Sequence, residues 1–155
     1  MTEEELFARR PMGMRMAMVV RQWRSIIDHA ITDTGLTQSS WTVLMQLHQL
    51  GDNVSVSELA EMQGIELPPL MRTLTLLEQQ GYLQRTVSPY DKRIRLLTLT
   101  DEGRAVLKTL NQVIEAFQTR VANGIPADDI AKFSDTLNQI ACNLRNIREE
   151  NNKTD

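Results

Sequence analysis

Between Ser55 and Thr100 the chain carries start and stop signals spaced too closely for a fold built on long helices or a large sheet. Ser55 followed by Glu58 is a capping box, in which hydroxyl and carboxylate satisfy orphan amides reciprocally. The short helix it opens is stopped at Gly64. Glu66, Pro68 and Pro69 then lead into Leu70, Met71, Leu74 and Leu77. The prolines thus fall in the first turn of a second helix, where missing N–H groups cost least. Gly81 ends that helix, and residues 82–87 and 94–100 read as two strands around a turn at Ser88-Pro89-Tyr90-Asp91. A short capped helix, a tight turn, a second helix and a basic hairpin, in that order, describe a winged helix-turn-helix.

Longer amphipathic segments flank this lobe. Over residues 12–33, Met16, Val19, Val20, Trp23, Ile26, Ile27, Ala30 and Ile31 recur at threes and fours, a helical period. Gly35-Leu36-Thr37 interrupts it, and Thr37 is an N-cap for a helix running through Trp41, Leu44, Met45 and Leu47 to Leu50. Beyond the hairpin, Thr100 caps a helix striped by Val106, Leu107, Leu110, Val113, Ile114, Phe117 and Val121, ending near Gly124. Pro126, Asp128 and Asp129 start a last helix whose seam is Ile130, Phe133, Leu137, Ile140, Leu144 and Ile147. Both chain ends read as loose, with residues 149–155 polar and frayed. The expected class is mainly α (α+β), one winged-helix chain over 1–155. Its winged lobe spans 36–100, with a helical dimerisation region drawn from 12–34 and 101–148. Two apolar seams exceed what one small lobe can use, so self-association is expected.

Composition excludes several classes. An apolar fraction of 41% and a charged fraction of 24% are ordinary for a globular chain of 155 residues. The longest uncharged stretch, 34–51, is broken by Thr, Ser, Gln and His, so no membrane span is expected. The opening Met-Thr-Glu-Glu-Glu does not look like a secretory signal, and the single cysteine, Cys142, suits a reducing compartment, so the cytoplasm is the expected location. With His29 and His48 as the only histidines, no zinc site is expected, and no cofactor. Nor can a nucleophile, base and orienting acid, or a phosphate loop, be assembled, so an enzyme is not expected.

A net charge of −3 does not exclude nucleic acid, because only a local face meets phosphate. Residues 66–100 hold five Lys or Arg against three acids, while both flanking stretches carry more acids than bases. In the second helix, Leu67, Leu70, Met71, Leu74 and Leu77 are taken as the inward face. That frees Arg72 and Thr73 for base edges or phosphates, and an Arg can hold guanine O6 and N7 with two parallel bonds. Lys92, Arg93 and Arg95 stand within four residues at the hairpin, where long cationic side chains can enter a minor groove or follow phosphates. Asp91 is expected to orient Arg93. Taken singly, an outward Arg is a solvated Arg and a charged turn a solvated turn; the alternative is thus a winged helix that docks a protein.

The chain resembles the MarR family of bacterial transcription regulators, and its SlyA-like branch in particular. The likeness is carried by Val20-Arg21-Gln22-Trp23-Arg24 through Asp28-His29, Leu36-Thr37-Gln38 with Trp41, and Gly64-Ile65-Glu66-Leu67-Pro68-Pro69-Leu70-Met71-Arg72-Thr73-Leu74. It continues in Leu77-Glu78-Gln79-Gln80-Gly81-Tyr82-Leu83, Asp91-Lys92-Arg93 and Leu99-Thr100-Asp101-Glu102-Gly103. The resemblance implies a homodimer with intertwined first and last helices, on a pseudo-palindromic double-stranded DNA operator. Candidate DNA-facing residues are Ser55, Pro68, Pro69, Arg72, Thr73, Lys92, Arg93 and Arg95, with Arg93 entering the minor groove. It also implies release by a small aromatic carboxylate or phenolic effector, with Arg21, Arg24, Trp41 and Met45 at the pocket. Met45 departs from the histidine expected there, and Ile94, Leu96 and Thr98 replace further basic wing residues. Trp23 and Trp41 as core, with the arginines as surface or inter-subunit ion pairs, is the other reading of that cluster. Cys142 is expected to pack. Operator sequence, and repression against activation, lie outside these residues.

Overall fold

Capping chemistry sets most of the helix starts in the computed structural model, which describes residues 1–153. Thr2 and Glu5 close a capping box around α1 (Glu3–Ala8), so the chain begins with a helical turn where a loose end was expected. The Arg15 guanidinium lies 5.1 Å from the centre of the Phe7 ring, a cation–π contact between α1 and α2 (Met12–Ala30). That second helix stops short of the expected boundary. A 3₁₀ turn over Thr32–Thr34 follows, in which the Thr34 hydroxyl donates to the Ile31 carbonyl at 2.6 Å. Thr37 caps α3 (Gln38–Leu50) as expected, and Asp28 Oδ1 of α2 accepts from the Gln38 amide at 2.7 Å, tying the two helices.

Ser55 closes its box with Glu58 at the head of α4 (Val56–Gln63), and Gly64, at φ 62°, takes the left-handed conformation that lets the chain turn sharply there. α5 (Leu67–Gln79) carries both prolines in its first turn. The hairpin follows as β2 (Leu83–Val87) and β3 (Arg95–Leu99), a residue shorter at most ends than the sequence pattern predicts. β1 (Val54–Ser55) completes an antiparallel sheet in the order β1-β3-β2, with Val54 opposite Leu97 and Leu83 opposite Leu99. Two residues are too few to show an alternating pattern, so β1 was not predicted. The Thr100 hydroxyl accepts from the Gly103 amide at 3.0 Å and donates to the Gly81 carbonyl at 2.6 Å, opening α6 (Asp101–Val121).

Two compact units result, Met1–Glu115 and Ala116–Asp155, with α6 divided between them. The core of the first is Ile27, Leu44, Leu47, Leu59, Leu70, Leu74, Leu77, Leu83, Leu97 and Leu110, all at most 1% exposed, one or more from nearly every element. Leu67 and Met71 do not join it: they are 49% and 37% exposed, which corrects the inward face expected for α5. Leu70, Leu74 and Leu77, spaced at four and three, already complete the stripe a helix can bury against one layer. In the second unit, α7 (Ala127–Asn152) has no buried residue. Its expected seam is laid bare, with Phe133 64% and Leu144 58% exposed. Residues 149–152, expected to fray, continue this helix; 154 and 155 lie outside the described residues.

Candidate nucleic-acid interface

The buried row of α5 determines what its outer face can present. With Leu70, Leu74 and Leu77 turned inward, 3.6-residue periodicity sends Pro68, Arg72, Thr75 and Gln79 outward, flanked by Met71 and Leu76. Arg72 is the only charged residue between Leu67 and Leu77. Thr73, expected beside it, instead lines a cavity shared with α3 and α4, and its hydroxyl leans on the Pro69 carbonyl at 3.4 Å. Pro68 and Pro69 are both exposed, and Pro69 borders the same cavity. Ser55 is half-buried, its Oγ accepting from the Glu58 amide at 3.1 Å, so the oxygen is already engaged in capping α4.

Strand β2 is fastened to α5 by an ion pair. Arg85 Nε donates to Glu78 Oε2 at 2.8 Å, and its Nη2 reaches Glu78 Oε1 at 3.2 Å and the Thr75 hydroxyl at 3.4 Å. The hydrogen bonds from Arg85 hold the Glu78 carboxyl below the usual carboxylate range, against an opposing push from burial; the same bonds hold Arg85 more firmly protonated. Lowering of the folded-state value means that stability from this pair is complete above the unfolded value of about 4.3 and is lost as pH falls through the lower folded one. With side chains 19% and 39% exposed, solvent screens the pair, so Glu78→Gln is expected to cost only about 0.2–1 kcal/mol at neutral pH. Thermal melts at pH 7 and pH 3 check this: the gap between variant and parent should close in acid.

At the wing tip, the Oγ of buried Ser88 accepts from the amides of Tyr90 and Asp91 at 3.2 and 3.4 Å, which shapes the turn. Asp91 then grips Arg93, accepting from its amide at 2.9 Å, Nε at 3.2 Å and Nη2 at 3.1 Å. These bonds draw the Asp91 carboxyl below its ordinary value. The expected orienting role of Asp91 is thus what the geometry provides, and the Arg93 side chain remains 90% exposed. Lys92 and Arg95 are exposed as well, with Arg95 Nη1 donating to the Lys92 carbonyl at 2.9 Å. Tyr90, 96% exposed at the same tip, was not singled out from the sequence, because a tyrosine in a turn carries no spacing signal.

The expected effector residues separate. Arg24 borders the cavity between α3, α4 and α5, about 370 Å³ in volume. Trp41 is half-buried and donates from Nε1 to Asn111 Oδ1 of α6 at 2.8 Å. Arg21 is exposed, Met45 is half-buried, and neither borders that cavity. What does border it are Gln38, Gln46 and Gln63, whose Oε1, Oε1 and Nε2 atoms are buried without a hydrogen-bond partner among the described residues. Such atoms are costly to bury unpaired. Nothing in the sequence marks them, since the three come from two helices and meet only in the fold. Among the described residues no cluster of His, Cys, Asp and Glu could hold a metal, and no helix is long and apolar enough to cross a membrane.

Comparison with known proteins bears on the same lobe. The MarR family model matches residues 34–94. The crystal structure of the transcriptional regulator PA3341 superposes with a TM-score of 0.76 at 30% identity, over 88% of this chain and 99% of that one. CouR, a transcriptional repressor solved bound to a 23-mer DNA duplex, gives a TM-score of 0.79 at 26% identity, over 91% and 98% of the two chains. A MarR-family transcriptional regulator from Rhodococcus sp. RHA1 gives 0.76 at 26%, over 83% and 91%. With a winged lobe matched in sequence and a fold matched along nearly the whole chain, this protein belongs to the MarR family.

Proposed function

We propose that this chain is a homodimeric, sequence-specific double-stranded DNA-binding transcription regulator of the SlyA-like branch, acting on a pseudo-palindromic operator in the cytoplasm. One observation carries the proposal. The exposed face of α5 holds a single charge, Arg72, and the adjoining wing ends in an Arg93 side chain 90% exposed and aimed by Asp91. In this reading α5 enters the major groove with Arg72 on a base edge, while Lys92, Arg93 and Arg95 take phosphates or the minor groove. The DNA duplex bound by CouR supports it. A second copy of the chain covers the bare seam of α7, since a helix with no buried residue gains nothing from tertiary packing within one chain.

A small aromatic carboxylate or phenol serves as effector in the cavity bordered by Arg24, where a guanidinium can take the carboxylate and the three glutamine amides can take polar substituents. Trp41, Arg21 and Met45 then act from outside that cavity. Salt titration tests the whole. If the two wings engage about six phosphates, affinity for duplex DNA should fall about a thousandfold between 50 and 200 mM salt. A flat response overturns DNA binding, and unchanged affinity in Arg93→Ala favours the protein-docking alternative. Sedimentation at the mass of one chain would remove the dimer.

A further inference from the structure

Building on the DNA-binding function proposed above, the geometry points to a specific readout chemistry: we infer that α5 recognises thymine C5-methyl groups through Pro68 and Met71, beside one guanine held by Arg72. The inference starts from what the helix start lacks. Two of the first three residues of α5 are prolines, so two of the four N–H groups that a helix start can offer a phosphate are missing there. The hydroxyls beyond are occupied, Thr73 with the Pro69 carbonyl and Thr75 with Arg85. The one amide side chain of the helix that could take adenine N6 and N7, Gln79, is its last residue, two turns beyond Arg72.

What the outer face presents next to Arg72, toward the helix start, is apolar. Pro68 stands one turn before Arg72, and Met71, adjacent to Arg72, is 37% exposed although packing would favour its burial. A shallow recess on the same face is bounded by Met71, Arg72, Thr75, Leu76 and Gln79. In a major groove the one apolar group on a base edge is the thymine methyl, and aliphatic side chains are its natural partners. One bidentate donor set among aliphatic groups therefore specifies a guanine with thymines beside it. Charge complementarity commits the face to DNA, because Arg72 on the helix and the exposed Arg93 of the wing are both cationic.

The test uses the full-length protein and a random duplex library. The most enriched duplex is resynthesised with deoxyuridine for thymidine, a change that removes methyl groups alone. Affinity should fall about fourfold for each methyl contacted, given the transfer free energy of one buried carbon, and by more than tenfold over two half-sites. Met71→Gln and Pro68→Ala, both at exposed positions, should each shrink the thymine-to-uracil ratio while leaving salt-dependent binding to unrelated DNA intact. Equal affinity for the two duplexes overturns this inference alone. A ratio that persists undiminished in both variants also overturns it, since the methyls would then act through duplex stiffness. Failure to enrich any sequence overturns the regulator reading and this inference with it.

Discussion

Arg72→Ala is expected to reduce affinity for the selected operator about tenfold to a hundredfold while barely changing affinity for unrelated duplexes. Arg72 is exposed on α5, is the one charged group between Leu67 and Leu77, and has no ion-pair partner among the described residues to release on binding. A bidentate Arg–guanine contact discriminates by about 1–3 kcal/mol per site, which fixes the size of the effect. The contrasting behaviour belongs to Lys92, whose loss should weaken all duplexes alike and lower the salt slope by about one. Fluorescence anisotropy on paired specific and random duplexes separates the two. If Arg72→Ala weakened both duplexes equally, Arg72 would be a phosphate ligand and base reading would have to move elsewhere on the helix.

Gly103→Ala is expected to unfold the lobe at a markedly lower temperature. Gly103 is buried in the first turn of α6, and a Cβ there would drive into the carbonyl oxygen and carbon of Tyr82. Both sides of that contact are backbone. Tyr82 is held by its amide on the Leu77 carbonyl at 2.9 Å and by its own carbonyl, which accepts from Thr100 at 3.2 Å. Alanine would gain about 1 kcal/mol in helix propensity. Overpacking against immobile backbone costs about 3 kcal/mol or more, so the loss prevails. For a chain of this length a net 2 kcal/mol lowers Tm by about 4–8 °C. Calorimetry of the variant checks it, and an unchanged or raised Tm would show that the α6 start can slide off the 81–82 segment freely. DNA affinity measured well below the transition should fall too, because this contact joins α6 to the turn between α5 and β2.

The regulator was legible in the sequence to different depths at different places. Thr37, Ser55 and Thr100 announce their helices because capping is local chemistry: hydroxyl and amide lie within three residues, and all three bonds form. Asp91 and Arg93 were paired from the sequence for the same reason. Met71 and Leu67 were misassigned inward because hydrophobicity alone cannot tell a residue that fills a core from one left at the surface. In the fold Leu70, Leu74 and Leu77 take the buried row and leave those two outside it. The three glutamines at the cavity, the Trp41 bond to Asn111, 70 residues away, and strand β1 depend on contacts that no window of sequence contains.

By itself, then, the sequence determined the order of the longer helices and the hairpin, their caps and turns, and the basic tip of the wing, because each follows from interactions spanning at most a few residues. Tertiary structure decided which faces remain outside: Arg72 among aliphatic neighbours, Thr73 turned to a cavity, Gly103 pressed on Tyr82. Those outcomes come from competition for a finite buried area between elements far apart in the chain. The nearest-neighbour chemistry of any one helix has no knowledge of which side its partners will occupy.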